Sequence, residues 1–255
     1  MKKTDSVILN SISGKDKVIS FVWQHLWLLI SLFIMTFGVA LSVRSALGSS
    51  VISTIPFVMS LAGTDGMAPA FTIGEYTYIM NFLLVGGQML VLRRRFEPVQ
   101  LFQLLIGFFF GFLLDVNMAL TEALDCTSLP ARTLAQLAGC TVLAFGIAIE
   151  VRCGSVTMPG EGFPVALSRV TSMPFAKAKI IVDISLVCIA IILGFVFFGR
   201  WLWQVVGPGT LFAMVYVGVA VKFISARIWW FDRLLSYHPG FRRYLYGLAR
   251  FRPRH

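Results

Sequence analysis

Three carboxylates lie in or beside long apolar stretches of this sequence, and they are the residues best suited to carry chemistry. Asp115, Glu161 and Asp183 could each bind a cation, an amine or a transported proton. An ionised group inside an apolar helix in lipid costs about 2.5–3.5 kcal/mol on the insertion scale, so it needs a partner or a task. We therefore predict ion or proton coupling at these three positions. For Glu161, the alternative is that it only stabilises the start of its own helix.

Charged side chains near the ends of the same stretches are candidates for charge pairing. Lys179 precedes Asp183 by one helical turn, so the two share a helix face. By depth along the stretches, we expect Arg44 to pair with Asp115 at one mouth of the protein. At the other mouth we expect a cluster composed of Glu150, Arg152, Lys179, Asp183 and Lys222. The alternative is that these side chains only fix the orientation of the chain.

Two glycine-containing loops precede short apolar stretches and could bind a small solute. Gly48-Ser49-Ser50 offers capping hydroxyls and a helix start that suits an anion, although an ordinary interfacial helix would look the same. Gly160-Glu161-Gly162 places an acid in the first turn of the other short stretch. Asn81 is a further candidate for solute binding, because it is a polar group inside an apolar stretch. An inter-helix hydrogen bond is its more ordinary role. The predicted substrate-binding residues are Gly48, Ser49, Ser50, Asn81, Gly160, Glu161 and Gly162.

Signatures of catalysis and of metal binding are missing from the sequence. The three histidines form no HExxH pair, and no GxSxG, Walker A or Rossmann glycine pattern occurs. The four cysteines form no CxxC pair. We therefore predict a protein that is not an enzyme and that uses no metal or other cofactor.

The elements that position these residues are predicted to be membrane-spanning helices. The chain has 255 residues, of which 57% are hydrophobic and only 13% charged, whereas a soluble domain carries about 25% charged residues. The apolar runs are continuous over about 20 residues, which favours helices over the alternating strands of a barrel. We predict an all-α, polytopic fold with spans at 21–43, 74–92, 99–119, 133–151, 178–198 and 208–228.

Two shorter apolar stretches and an internal similarity predict two inverted repeats. The stretches at 50–61 and 161–170 are too short to cross a membrane and are interpreted as re-entrant half-helices. The octapeptide at 37–44 resembles that at 145–152, and Asn81, Gly111 and Asp115 fall at the places of Asp183, Gly218 and Lys222. Each half has three spans, so repeat one, 21–120, and repeat two, 133–228, would insert in opposite directions.

The distribution of lysine and arginine predicts the orientation. Basic clusters precede the first span, follow the second, separate the fourth from the fifth and follow the sixth. With six spans, all of these clusters lie on the cytoplasmic side, together with the N-terminal segment 1–20 and the tail 229–255. The net charge of +10 is concentrated in this basic, aromatic tail. We expect the tail to contact anionic lipids rather than nucleic acid.

Several landmarks together resemble a known family. Gly48-Ser49-Ser50, Phe71-Thr72-Ile73-Gly74 with Asn81, Met158 to Gly162, and Gly209-Thr210 occur in the order found in the YczE/YitT-like group of integral membrane proteins. The resemblance covers about Phe21 to Ile228. It implies a multi-pass protein of the bacterial cytoplasmic membrane with a poorly defined function, and it names no substrate.

Two hypotheses for the function follow from these features. The inverted repeat, the half-helices and the acids in the spans favour a secondary transporter of a small polar or ionic solute. The alternative is a non-transporting membrane partner or regulator that binds a cytoplasmic protein through the tail. The predicted partners are the lipid bilayer and a small-molecule solute, and the sequence is compatible with a homo-oligomer.

Overall fold

The computed structural model describes residues 14–236, and within that range it contains helices and no strands. Residues 1–13 and 237–255, which include most of the predicted basic tail, lie outside the described part. The helices, numbered here in chain order, are α1 Gly14–Arg44, α2 Thr54–Thr64, α3 Ile73–Leu92, α4 Phe102–Leu120, α5 Leu129–Cys153, α6 Pro159–Thr171, α7 Phe175–Phe198, α8 Pro208–Arg227 and α9 Trp229–Leu235. Short 3-10 turns occupy Val51–Ser53, Arg93–Arg95 and Pro98–Leu101.

Five of these helices are long and apolar enough to cross a membrane, namely α1, α4 with the turn before it, α5, α7 and α8. The prediction of an all-helical membrane protein is confirmed at that level. The predicted second span corresponds to α3, a helix of 20 residues. It contains Glu75, Asn81 and Gln88 and is not among the five helices that are long and apolar enough to cross a membrane. The count of six spans therefore stays a prediction.

Helices α1 and α5 form the centre of the molecule and run antiparallel. A Cβ atom on Gly38 would lie 2.5 Å from the backbone nitrogen of Leu143, and one on Gly146 would lie 2.8 Å from that of Met35. Both distances are far below van der Waals contact, so the two backbones touch at these glycines. The core around them contains fully buried side chains such as Leu32 and Val39.

Short helices are present where the two half-helices were predicted, as α2 and α6, and their re-entry into the membrane stays a prediction. Both pack against α3 and α7. Their starts meet, because a Cβ atom added to Gly160 would collide with the side chain of Ile52 in the turn before α2. Each start follows a loop that leaves a central helix, α1 or α5, at a residue with positive φ, Ala46 or Gly154.

The short helix α9 folds back onto the ends of α1 and α5. Phe231 and Leu235 are fully buried, and the Phe231 ring packs edge-on against Trp27. Trp23 donates a hydrogen bond of 3.3 Å from Nε1 to the carbonyl of Leu234. The beginning of the predicted tail segment is therefore part of the packed structure.

Candidate functional site

Helices α6 and α7 bring three charged side chains together. The Nζ atom of Lys179 lies 2.9 Å from Oδ1 of Asp183 and 3.3 Å from Oε1 of Glu161. Lys179 and Asp183 share a face of α7 because residues four apart are neighbours on a helix, and Glu161 reaches them from the first turn of α6. All three side chains are partly or largely buried. One ammonium group serves two carboxylates, so the fully ionised cluster is negatively charged.

The glycines beside Glu161 let neighbouring groups approach the start of α6. A Cβ atom on Gly162 would lie 2.6 Å from Oε1 of Gln103 and 3.0 Å from Nε2 of Gln88. These two buried amides bond each other, with Gln88 Nε2 donating to Gln103 Oε1 at 3.0 Å. Gly160, on the other side, touches Ile52. The first turn of α6 is therefore enclosed by polar amides and by the start of the other half-helix.

A further acid, Glu150, supports the same helix start from α5. Only 3% of Glu150 is exposed. Its Oε1 atom accepts a hydrogen bond of 3.0 Å from the backbone N–H of Met158, the residue that precedes α6. Its Oε2 atom is buried and has no hydrogen-bond partner within residues 14–236.

Asn81 is another buried polar group with unused hydrogen-bonding capacity. Its exposure is 0%, and neither its Oδ1 nor its Nδ2 has a hydrogen-bond partner in the part of the chain that the structure describes. The amide lies on α3 against Gly107 of α4. A buried amide of this kind calls for a ligand, a water molecule or a rearrangement. Asn81 thus remains a candidate for binding, whereas the inter-helix hydrogen bond that was its ordinary interpretation is not formed.

The loop at Gly48-Ser49-Ser50 differs from the expectation. Both the backbone N–H and the hydroxyl of Ser49 donate to the carbonyl of Val205, at 3.0 and 3.1 Å. The hydroxyl of Ser50 bonds that of Ser53 at 2.8 Å and caps no helix. Gly48 has a φ of 122° and packs against Thr210. The hydroxyls of Ser49 and Ser50 are thus hydrogen-bonded within the protein, and the contacts of Gly48 and Ser49 join the loop to the start of α8.

The expected pair between Arg44 and Asp115 is also not formed. Arg44 donates from Nη2 to the carbonyl of Met118 at 2.8 Å. Asp115 instead accepts from the hydroxyl of Thr72 at 2.6 Å and from the N–H of Gly74 at 2.8 Å. A carboxylate that receives the free N–H groups of a helix start is stabilised there. Asp115 therefore anchors the beginning of α3 to α4.

The expected cluster at the inner mouth separates into parts. Lys179 and Asp183 stay together with Glu161, while Glu150 contacts the N–H of Met158. Arg152 points the other way, pairing with Asp232 and donating to the carbonyl of Ser225, so it holds α9. Lys222 is exposed and forms no ion pair with any described residue. The sequence predicted how deep each group lies along its helix, but it could not predict toward which neighbouring helix the group points.

The sequence analysis missed Gln88 and Gln136. Gln136 is buried and accepts from the hydroxyls of Ser42 and Ser45 while donating to the carbonyl of Gly209. The available signal was an amide in the middle of an apolar stretch, which in lipid-embedded helices marks a hydrogen bond between helices.

The fold and this arrangement define a membrane protein in which two short helices, α2 and α6, pack among long apolar ones. A family model covers residues 22–226, and the chain belongs to that family, a family of unknown function (DUF6198). The match spans nearly the same residues as the resemblance to the YczE/YitT-like group, whose name stays a prediction. No curated protein and no solved structure matches the chain.

Proposed function

We propose that this protein is a secondary transporter of a small polar or ionic solute, with its site where α6 begins. The observation that carries the proposal is the contact between the starts of the two half-helices, beside the cluster of Glu161, Lys179 and Asp183. Transporters with inverted repeats commonly bind their substrate where broken or short helices begin near the membrane midplane.

Contacts between equivalent positions support the inverted repeat. Gly38 and Gly146 hold the same place in the two similar octapeptides, and each presses against the other repeat's central helix. Continuing that alignment without a gap pairs Ala46 with Gly154, which both have positive φ. Ser50 is likewise paired with Met158, with φ/ψ of −62°/147° and −57°/150°.

The alignment reaches the start of the half-helices and explains why they meet. It pairs Ile52 with Gly160, and these are the two residues in contact. Residues related by a two-fold axis touch each other only close to that axis. Because α1 and α5 are antiparallel, the axis would lie in the membrane plane, as alternating access between two inverted halves requires.

The charges of the cluster indicate how a solute would be held. Glu161 is suited to a cationic or amine group, and Lys179 to an anionic group once its bond to Glu161 is released. Asp183 would then keep Lys179 charged or take up a coupling proton. Asp115 is assigned a positioning role, because both of its oxygens hold the start of α3.

Flux measurements on the full chain test this proposal. The purified protein in proteoliposomes would be presented with a panel of small amines, zwitterions and organic anions on a solid-supported membrane that records charge movement. We expect a current for one class and its loss in the double variant Glu161→Gln, Asp183→Asn. Glu122→Gln, an exposed acid outside the helices, is the control. A current that survives the double variant would remove these residues from the site.

A second candidate function is a membrane partner or regulator, and the docked helix α9 favours it. Trp229 and Trp230 are exposed beside Arg233, whose guanidinium lies over the ring of Trp229 at 4.7 Å. Such a basic aromatic surface suits anionic lipid or a cytoplasmic protein. Replacing the exposed Trp229 and Trp230 with alanine separates the functions, because the buried contacts of Phe231 and Leu235 stay in place and a transporter would keep its flux. The bacterial cytoplasmic membrane and the cytoplasmic placement of both termini are part of the same proposal.

A further inference from the structure

We infer that Glu150 is a proton-binding site, whose proton is bound and released as the start of α6 moves. This inference depends on the proposed function for its role in transport, while the binding of a proton at Glu150 can be measured independently. The proposed role differs from the earlier prediction, in which Glu150 was a partner in charge pairing.

Within residues 14–236, no cation forms an ion pair with Glu150. Arg152 on the same helix is turned toward Asp232 and Ser225, and Lys179 on α7 is engaged by Glu161 and Asp183. The charged group that acts on Glu150 from α6 is the carboxylate of Glu161, which has the same sign.

Helices α1 and α8 also pack against α5. On α8, Lys222 is exposed and Arg227 lies over the ring of Phe223 at 3.4 Å. On α1, His25 is already engaged. His25 bonds the carbonyl of Phe21 at 2.8 Å and the hydroxyl of Ser155 at 3.3 Å. The charged and titratable groups on these elements therefore include Glu161, Lys179, Asp183, Arg152 and His25. In the part of the chain that the structure describes, Glu150 forms an ion pair with none of them.

Burial and geometry together favour a neutral, protonated side chain. An ionised carboxylate with one hydrogen bond and no counter-charge is costly to bury. A carboxyl group with its proton on Oε2 keeps the acceptor Oε1 for the N–H of Met158. Release of that proton to water would leave a carboxylate that must gain hydration or a cation, and that change favours movement of the Met158 loop.

The first repeat shows that the acid is specific to the second. The position equivalent to Glu150 is Ser42, whose hydroxyl contacts the carbonyl of Gly48 at 3.3 Å and Oε1 of Gln136 at 3.0 Å. In the first repeat a neutral hydroxyl donates to the loop that follows the helix, whereas in the second an acid accepts a backbone N–H from the corresponding loop. Local structure alone does not require a titratable group here.

Infrared difference spectroscopy of the full chain in lipid nanodiscs tests the inference. Spectra recorded from acidic to alkaline pH report the C=O stretch of a protonated carboxyl in an apolar site. We expect one such band that persists at neutral pH and disappears in Glu150→Gln. The exposed Glu122→Gln should leave that band unchanged. Gln keeps an acceptor for the Met158 N–H, and Glu150→Asp, with a shifted band, checks the assignment if Glu150→Gln is poorly folded.

The outcomes separate this inference from the proposed function. A band that Glu150→Gln removes supports proton binding even if no solute of the panel gives a current. If no such band exists at neutral pH in the unmodified protein, or if Glu150→Gln and Glu150→Asp leave it unaltered, proton binding at Glu150 is wrong, whatever the flux measurements show.

Discussion

Lys179 connects two helices through its ammonium group, since its partners Glu161 and Asp183 belong to α6 and α7. Asp183 could be matched to Lys179 from the sequence, because a helix brings residues four apart to one face. Glu161 could not, because its approach depends on how α6 lies across α7. The sequence therefore indicated which side chains carry charge, while their partners on other helices required the packed structure.

Removing the ammonium group of Lys179 should destabilise the protein. Lys179→Met leaves two neighbouring carboxylates without a counter-charge, and we expect a loss of about 1–3 kcal/mol, since the cluster is only partly buried. Thermal unfolding in detergent, followed by size-exclusion chromatography, measures the loss. Lys177→Met, on an exposed position of the same helix, is the matched control and should change little.

A second variant shows whether charge is the cause. Adding Glu161→Gln and Asp183→Asn to Lys179→Met removes the uncompensated negative charges and should recover part of the stability. If the single variant Lys179→Met unfolds at the temperature of the unmodified protein, the ion pairs contribute nothing measurable.

Among the elements, the beginning of α3 is held more firmly than sequence patterns indicated. Thr72 and Glu75 form a reciprocal cap, with the Glu75 N–H donating to the Thr72 hydroxyl at 3.1 Å and Thr72 N–H to Glu75 Oε2 at 2.8 Å. Asp115 extends this cap across to α4. This network gives the start of α3 hydrogen bonds to its own first turn and to a neighbouring helix.

Truncation of Asp115 should loosen this cap. Asp115→Ala removes two acceptors from the start of α3, and we expect a loss of about 1–2 kcal/mol, as for a helix cap. The same thermal assay measures it, with Asp125→Ala in an exposed loop as control. An unchanged melting temperature for Asp115→Ala would mean that Thr72 and Glu75 suffice, and the coupling role would again be open for Asp115.

How well the elements were predicted depends on the signal that each provides. Continuous apolar runs located α1, α4, α5, α7 and α8, because length and hydropathy are local properties. The ends were less certain, and α1 begins at Gly14, before the predicted start at residue 21. The contact between the two half-helices was beyond sequence reasoning, since it depends on how the bundle closes.

Across the whole molecule, the two proposed repeats correspond at the centre and differ at the edge. Gly111 of α4 touches Gly74 of α3 closely, whereas Gly218 at the equivalent place of α8 faces open space. In the same way, α3 packs along α4, but α7 packs little against α8. One face of α8 is apolar and exposed, with Leu211, Val215 and Val219. Under the proposed inverted repeat, the two halves therefore correspond where α1 meets α5 and differ farther out.

Because these glycines differ in their surroundings, substituting them tests where the fold depends on close packing. Gly38→Ala places a methyl group 2.5 Å from the Leu143 nitrogen and 2.6 Å from the Gly139 carbonyl, which are backbone atoms that cannot rotate away. Gly146→Ala makes the equivalent clash with Met35. We expect each variant to lose about 1–3 kcal/mol, as overpacked cores do. Gly218→Ala, with nothing within 4 Å, should be neutral or gain up to about 1 kcal/mol of helix propensity. Equal melting temperatures for all three variants would show that α1 and α5 are not packed backbone to backbone, and the axis inferred from Ile52 and Gly160 would lose its basis.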